Sequence, residues 1–352
     1  MRTCLFFLKQ AHLTKKSNAM KHLPTLEEVL IAQERLDILC ADRELATKEI
    51  FRANAFYGNN FILKTYAGIP KNYPLKFIIP HGISSETYVW SAEVNNSLPA
   101  VICFQKNRQT VYKSQFNNKR IIRCAAPYIY IPSMLGKSQL AERKGTIFFP
   151  SHSTHHMISD TDYQQLADTL VALDSSYHPV TVCIYWKDFN LGHHSFFEKR
   201  GLQIVSAGHI FDPMFLFRLY HLCSQYEFSA CNRVGTHIFY AMYAGCKHFH
   251  INTGKWHSFT NHEEKKEELE KLKKNFECCN VNKELKETFI SHPDSGKRYK
   301  KAILDDYLSI YSKKDKYELA KMMIECECLY RASKCTDAIK KYGSSLFQVG
   351  KP

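Results

Sequence analysis

The sequence predicts an α/β protein with two doubly wound domains facing a cleft, followed by closing C-terminal helices. Short apolar segments alternate with segments of helical periodicity along most of the chain, and near-continuous apolar strands are typical of a parallel sheet covered on both faces. The chain has 352 residues, of which 45% are hydrophobic, enough for two ordinary cores. The predicted organisation is a flexible tail over 1–24, an N-terminal domain over 25–135, a linker over 136–144, a second domain over 145–260 and a helical region over 261–352.

The N-terminal domain begins with helical spacing and continues with strands. Apolar residues from Leu26 to Leu39 recur at helix spacing, and Thr25 is placed to cap this helix. Further helical segments are predicted over 46–57 and 61–67. Strands are predicted over 75–79, 100–104 and 120–124, with polar connections between them.

The second domain has the more regular pattern. Strands are predicted over 146–149, 180–186, 202–206, 226–230 and 247–251. The helices between them include 160–173 and a helix that Asp212 caps, and this alternation predicts a parallel sheet. Beyond the sheet, the pattern predicts a solvated charged helix over 263–274 and closing helices over 302–311 and 317–330.

The formal net charge of +14 indicates an anionic partner. Residues 94–141 contain no acidic side chain, and such a surface attracts nucleotide phosphates, anionic glycans, anionic lipid headgroups or nucleic acid. Tyrosines and phenylalanines in this stretch suit base stacking, but they equally serve a strand core. Since no nucleic-acid-binding motif occurs, nucleic acid is the partner that the sequence favours least.

Cysteine usage and hydropathy restrict the compartment. The thirteen cysteines are scattered without metal-ligand spacing, which predicts reduced, mostly buried thiols and no structural metal site. No apolar run approaches the roughly 18 residues of a membrane span. The first residues hold only four consecutive apolar side chains, too few for the core of a signal peptide. The sequence therefore predicts a cytoplasmic protein.

A histidine follows the predicted strand over 75–79. In Pro80-His81-Gly82 the imidazole lies where a strand end meets the cleft, and its ordinary pKa of about 6.5 suits a base that takes a proton from a hydroxyl. We predict that His81 is catalytic. The alternative is a capping or packing histidine before a helix that begins at Ser84, in which Glu86 has a structural role.

A polar loop follows the strand over 146–149. Hydroxyls, imidazoles and free N–H groups at a strand end suit a phosphate. The predicted contacts are Ser151, His152, Ser153 and Thr154. A metal bound by the histidines at 152, 155 and 156 is an alternative, although no acidic residue stands beside them before Asp160. A plain loop is the other alternative.

A glycine-containing turn joins the strand over 226–230 to a helix. Its unpaired N–H groups and the helix dipole point at one place, and Gly235 permits close approach of a ligand. The predicted phosphate or sugar contacts are Asn232, Arg233, Gly235, Thr236 and His237. His209, after the strand over 202–206, is the predicted contact of a nucleotide base. An ordinary strand-to-helix connection is the alternative.

These segments resemble GT-B glycosyltransferases of bacterial capsule and surface-polysaccharide biosynthesis. The resemblance covers roughly 61–251 and rests on PLKFIIPHGI, KGTIFFPSHSTHH and the segment over 206–249 that begins SAGHIFDP. It implies two Rossmann-like domains and transfer of a sugar from a nucleotide-sugar donor, without a metal ion or separate cofactor. His81 is then the base, and the three loops hold the donor. Many such enzymes carry a glutamate about where His237 or Tyr240 stands here, so the donor is left open.

The resemblance implies a glycan or lipid-linked acceptor in capsule or O-antigen assembly. The basic surface further predicts peripheral contact with the anionic inner face of a membrane. Two alternatives stay open: a transferase that moves a polyol phosphate from a CDP-activated donor on the same fold, and a non-catalytic protein that binds nucleotides or glycans. The sugar, the stereochemical outcome and the oligomeric state are not predicted.

Overall fold

The computed structural model describes residues 23–84, 88–136, 142–154, 158–159, 161–252, 258–259 and 297–346. Within these ranges the chain is an α/β protein with parallel sheets, as predicted. Nearly all of the predicted tail, most of the predicted linker and the charged helix over 263–274 lie outside the described residues. No helix among the described residues is long and apolar enough to cross a membrane.

The N-terminal helices are α1 (Leu26–Ala32), α2 (Leu36–Leu39) and α3 (Asn59–Ala67). Thr25 caps α1 as predicted, since its hydroxyl accepts the Glu28 N–H at 3.2 Å and the Glu28 carboxylate accepts the Thr25 N–H at 2.7 Å.

The helix predicted over 46–57 is wrong. Residues 41–49 form no helix, and Arg52–Gly58 is a kinked 3₁₀ segment. The reason is tertiary: Glu49 is 6% exposed, and its carboxylate accepts hydrogen bonds from Lys64 at 2.7 Å and from the Leu75 N–H at 2.9 Å. These bonds fix the chain around a buried carboxylate and prevail over local helix propensity.

A small parallel sheet forms the centre of the N-terminal half. Strands β1 (Ala100–Cys103) and β2 (Arg120–Arg123) pair in parallel, but the strand predicted over 75–79 is reduced to a single bridge between Ile78 and Val101. Asn54 occupies the opposite edge of this segment, where its side chain donates to the Phe77 carbonyl at 2.9 Å and accepts from the Ile79 N–H at 2.7 Å, the bonds that a further strand would make. Helices α4 (Ser91–Val94), α5 (Arg108–Gln115) and α6 (Ile131–Leu135) complete this half.

The second half contains a five-stranded, fully parallel sheet in the order β6-β5-β3-β7-β8. Its strands are β3 (Thr146–Phe149), β5 (Val180–Cys183), β6 (Gln203–Val205), β7 (Phe228–Cys231) and β8 (Lys247–His250); a short antiparallel pair joins β4 (Ile158–Ser159) to β9 (Ser258–Phe259). The order of the strands reverses between β3 and β7. In open parallel sheets, ligands bind outside the carboxyl ends of the strands at such a reversal.

Helices cover both faces of this sheet, as its apolar strands predict. They are α7 (Tyr163–Val171), α8 (Trp186–Asn190), α9 (His194–Glu198), α10 (Phe215–Cys223) and α11 (Thr236–Ala244). Phe148 of β3 belongs to one buried cluster, while Ile147 and Phe149 belong to another on the opposite face.

Asp212 does not cap α10 as predicted. Helix α10 has Met214 at its N-cap position, without a side-chain bond. The Asp212 carboxylate instead accepts the Met214 N–H at 2.8 Å and pairs with Arg218 at 2.5 Å, so it fixes the turn before the helix.

The closing helices α12 (Lys297–Leu308) and α13 (Lys316–Leu346) contact both halves. In α12, the Tyr307 ring stacks on Phe239 of α11 with centroids 4.3 Å apart; in α13, Glu327 accepts the Tyr73 hydroxyl at 2.6 Å. One buried apolar cluster contains Ile102 of β1 together with Ile147 of β3, so the two halves share a core.

The acid-free stretch over 94–141 obtains acidic partners from these helices. Lys106 pairs with Asp306 at 3.2 Å, and Arg120 pairs with Glu325 at 3.1 Å. Part of the positive charge of this stretch is therefore balanced locally. The ten cysteines among the described residues are free thiols, and eight of them are buried.

Candidate functional site

A cavity of about 430 Å³ lies between the carboxyl ends of the two parallel sheets. The loops after β3 and β7 line it on one side, and the segment Pro80–Ser84 lines it on the other. The predicted site residues that line it are His81, Ser151, His152, Thr154, Arg233, Gly235, Thr236 and His237. Ser153, Asn232 and His209 are not among its lining residues.

His81 projects from the N-terminal half into this cavity. Its ring lies 5.4 Å from the Phe56 ring and 5.2 Å from the Tyr57 ring, centroid to centroid. The imidazole is exposed to the space inside the cavity, yet desolvation by the surrounding protein, followed by the charge of His152, lowers its pKa to about 4. His81 is therefore neutral at pH 7, the form that accepts a proton. In the alternative, a capping histidine before a helix that begins at Ser84, Glu86 has a structural role; Glu86 lies outside the described residues.

The His81 loop contacts the start of α11 directly. The Thr236 hydroxyl oxygen accepts the Ile83 N–H at 3.0 Å, and a Cβ on Gly82 would approach that oxygen to 2.7 Å. A glycine is needed at 82 because the two loops approach closely here. Thr236 thus joins the two sides of the cavity, and its hydroxyl proton can still be donated to a ligand.

Asn232 connects the two loops at the strand reversal and does not face the cavity. Its side-chain oxygen accepts the Ser151 N–H at 2.7 Å, and its amide donates to the Ser151 hydroxyl at 3.4 Å. The Ser151 hydroxyl also bonds that of Thr161 at 2.6 Å. Asn232 therefore holds the Ser151 loop, and its contact with a phosphate stays a prediction.

Ser153 is fully buried and anchors the same loop to Asp188. Its hydroxyl donates to Asp188 at 2.7 Å and its N–H donates at 3.0 Å. The prediction that Ser153 binds phosphate is corrected, because both of its donors are used inside the protein.

Asp188, only 2% exposed, is a residue that the sequence reading missed. It also accepts the Tyr163 hydroxyl at 3.2 Å and lies 3.1 Å from Nδ1 of His193. Burial alone raises its pKa, but the His193 bond, the charge of His152 and the Ser153 bonds outweigh burial, so the pKa lies below its ordinary value. Asp188 lies in α8, the helix that directly follows β5, so a search that extended a few residues beyond each strand would have found it.

We expect Asp188→Asn to lower the free energy of unfolding by about 1–3 kcal/mol, since a buried charged acceptor of several hydrogen bonds is lost. Urea unfolding at pH 7 measures this. The control is Asp168→Asn, because the Asp168 side chain is 61% exposed and pairs with Arg200 at the surface; it should change stability by less than about 0.5 kcal/mol. Equal effects of the two substitutions would contradict the anchoring role.

The turn after β7 places Arg233 and His237 at the N-terminus of α11. Gly235 is the N-cap residue with extended backbone, and a Cβ there would lie 2.9 Å from Cε1 of His237. Close approach of the His237 ring therefore requires glycine at 235. The Arg233 side chain is half-buried, and desolvation lowers its pKa to about 10, so it keeps its charge at pH 7.

His237 carries a buried nitrogen, Nε2, that has no hydrogen-bond partner among the described residues. Its ring lies 5.0 Å from the Phe149 ring, and desolvation, then the charges of His152, His250 and Arg233, lower its pKa to about 3. Desolvation also lowers the pKa of His152. Neutral imidazoles, the Arg233 guanidinium and the α11 N-terminus together suit an anionic ligand.

His209 is fully buried outside the cavity. Its ring packs 4.0 Å from the Trp186 ring, its Nε2 lies 3.2 Å from Asp42, and its Nδ1 accepts the Phe211 N–H at 3.1 Å. The predicted contact with a nucleotide base is corrected, because both ring nitrogens are used in holding the loop after β6.

Among the described residues, no group of three His, Cys, Asp or Glu side chains is arranged to hold a metal ion. Of the histidines in the metal alternative for the loop after β3, those at 155 and 156 lie outside the described residues.

We expect the protein to lose stability as the pH falls below about 6.5, since His81 and His237 have folded-state pKa values of about 4 and about 3. The unfolded chain binds protons that the folded site does not, so stability falls progressively between pH 6.5 and the folded pKa values. Urea unfolding at pH 7, 5.5 and 4.5 measures the slope. His237→Gln should reduce it, and an unchanged slope would contradict the assignment.

No protein-family model matches the chain, and no curated protein matches it at a significant level.

Proposed function

We propose that the protein is a GT-B-type glycosyltransferase that moves a sugar from a nucleotide-sugar donor to a hydroxyl of a glycan or lipid-linked acceptor. The proposal is supported by one observation: Arg233, His152 and His237 follow the two strands at the reversal, near the α11 N-terminus, and line the same cavity as His81. Ligands of open parallel sheets bind at such a reversal.

The proposed donor site binds the phosphates of the nucleotide. Arg233 supplies a charged fork of donors, and the first N–H groups of α11 add further donors and the positive end of the helix dipole. Ser151 and Thr154 line the same wall. Because Asn232 and Asp188 hold the Ser151 loop in place, this wall needs little rearrangement when an anion binds.

The proposed base is His81. The acceptor hydroxyl oxygen forms a bond to the anomeric carbon of the sugar as the bond from that carbon to the phosphate oxygen breaks. The nucleotide leaves with the electron pair, and neutral His81 takes the hydroxyl proton. Arg233 and the helix N-terminus stabilise the charge that develops on the leaving phosphate. We therefore propose a reaction without a metal ion or separate cofactor.

We further propose that the acceptor belongs to capsule or O-antigen assembly and that the protein works at the inner face of a membrane. The net charge of +14 supports attraction to an anionic membrane surface. Cosedimentation with phosphatidylglycerol vesicles, compared with phosphatidylcholine vesicles, tests this part by itself.

A thermal-shift screen against UDP, GDP, CMP, CDP and their sugar conjugates, with and without EDTA, tests the donor site. Ligand at 100 times its dissociation constant stabilises the folded state by about 2.7 kcal/mol. Selective stabilisation by one nucleotide family, unchanged by EDTA, supports the proposal. A shift abolished by EDTA contradicts the metal-independent site, and no shift from any nucleotide contradicts a donor site altogether.

Product mass then identifies the group that is transferred. An acceptor that gains the mass of a sugar supports a glycosyltransferase. A gain of a polyol phosphate from a CDP-linked donor would reassign the reaction on the same site, and a donor that binds without being consumed would indicate a binding protein.

A further inference from the structure

Tyr57 has a strained backbone at the wall of the cavity. Its φ is 58°, in the left-handed region that costs a bulky residue about 1–3 kcal/mol. The surrounding structure enforces this conformation: the Tyr57 N–H donates to the Ile210 carbonyl at 2.6 Å, and Gly58 packs so closely on the Pro213 backbone that no Cβ fits there. Strain of this kind persists where the fold requires a particular side-chain position.

Tyr57 and Tyr185 each lie beside a histidine that lines the cavity. The Tyr57 ring lies 5.2 Å from the His81 ring, and the Tyr185 ring lies 4.4 Å from the His152 ring, centroid to centroid. Burial raises the pKa of Tyr57 to about 12, and the neighbouring Tyr185 phenol opposes part of this rise, so the two phenols lie close enough to interact. Both phenols line the cavity and are only half-buried.

We propose that Tyr57 and Tyr185 form a paired phenolic site that donates a hydrogen bond to the phosphate of the nucleotide ligand. This inference rests on the proposed function and adds two ligand-binding residues to its donor site. The two hydroxyls carry two protons, and at most one of them is used between the phenols. At least one proton therefore remains for a ligand.

The residues around the two phenols favour an anionic oxygen as the acceptor of this proton. Tyr185 lies against His152, and Arg233 lines the same cavity as both phenols. Glu93 is the one carboxylate among the described lining residues, and it hydrogen-bonds with the Tyr112 hydroxyl at 3.5 Å. A phenol that stays protonated at neutral pH, in a cavity that also contains a guanidinium, suits a phosphate oxygen.

Isothermal titration calorimetry with UDP, CDP, CMP and inorganic pyrophosphate tests the site. Tyr57→Phe and Tyr185→Phe remove only the hydroxyls and keep both rings, so the strained backbone and the contacts with the histidines remain. Each variant should bind the tightest of these probes about tenfold more weakly than wild type. If the two hydroxyls act as a unit, the loss of affinity in the double variant should be smaller than the product of the two single losses. Tyr311→Phe, at a tyrosine that is 72% exposed, is the matched control and should bind as wild type does.

Arg233→Gln separates this inference from the function on which it rests. If Arg233→Gln weakens binding while both phenylalanine variants bind as wild type does, the phenolic site is overturned and the donor site stands. If no probe binds the wild-type protein, the proposed function is overturned, and the phenolic site with it. A loss of affinity in the double variant equal to the product of the two single losses would overturn the pairing.

Discussion

Arg233→Gln is expected to weaken binding of the preferred nucleotide by roughly 100-fold, equivalent to about 3 kcal/mol. Arg233 lines the cavity beside the α11 N-terminus and keeps its charge at pH 7, although desolvation lowers its pKa to about 10. An anion at this place relieves the unfavourable burial of the guanidinium charge, so the attraction is stronger than that of a surface arginine.

The same reasoning predicts how the unliganded variant behaves. Because the charge of Arg233 is poorly solvated in the folded protein, its removal should lower the free energy of unfolding by no more than about 1 kcal/mol. Arg233→Lys keeps the charge but loses the planar fork, and we expect an affinity between those of wild type and Arg233→Gln. Calorimetric titration measures affinity, and urea unfolding measures stability.

Arg35→Gln is the matched control, because the Arg35 side chain is 63% exposed and pairs with Asp37 on the first helices. It should leave nucleotide affinity unchanged. Wild-type affinity in Arg233→Gln would show that the phosphates bind elsewhere in the cavity.

His81→Ala is expected to lower turnover by about 10²- to 10⁴-fold with little change in donor affinity. His81 belongs to the N-terminal half and Arg233 to the turn after β7, and both line the cavity, so we expect removal of His81 to leave the Arg233 contact intact. A loss confined to kcat, with KM for the donor near its wild-type value, is the signature of a group that acts in the transition state.

The pH profile provides a second measure of His81. Its pKa of about 4 means that the neutral imidazole persists across the physiological range, so kcat/KM should fall only on the acidic side, near pH 4. His194→Ala is the control, since His194 lies outside the cavity lining, with its Nδ1 3.1 Å from the Phe189 carbonyl oxygen. Turnover of His81→Ala equal to that of His194→Ala would remove His81 from the mechanism.

The parallel sheet of the second half could be predicted because its signal is local. Apolar segments as short as 146–149 are strands buried on both faces, and the polar residues that follow them must meet at one edge. This rule alone predicted that Ser151, Arg233 and His237 would lie close together, and all three line the cavity.

The corrections concern partners that are distant in the sequence. Ser153 and Asp188 are separated by 35 positions, and nothing in either local pattern indicates that they bond. Asn54 replaces strand pairing at Ile79 in the same way, across 25 positions. Such pairings depend on how elements pack, which periodicity does not record.

Nothing in the sequence around Tyr57 predicts its left-handed backbone. A left-handed tyrosine arises only because Ile210 and Pro213 are already in place, so local propensity argues against it. Glu49 likewise goes against local propensity, because the bonds of its buried carboxylate oppose the helix that the surrounding residues favour.

The core shared by the two halves restricts how a ligand can enter. Tyr128 stacks on Tyr240 with centroids 4.2 Å apart, inside the cluster that also contains Ile102 and Ile147. A hinge rotation that parted the two sheets would expose these rings to water, at a cost that rises with every apolar side chain uncovered. We therefore expect a ligand to enter and leave through the loops that surround the opening of the cavity. Cross-linking the two sheets far from the rim should slow neither entry nor release.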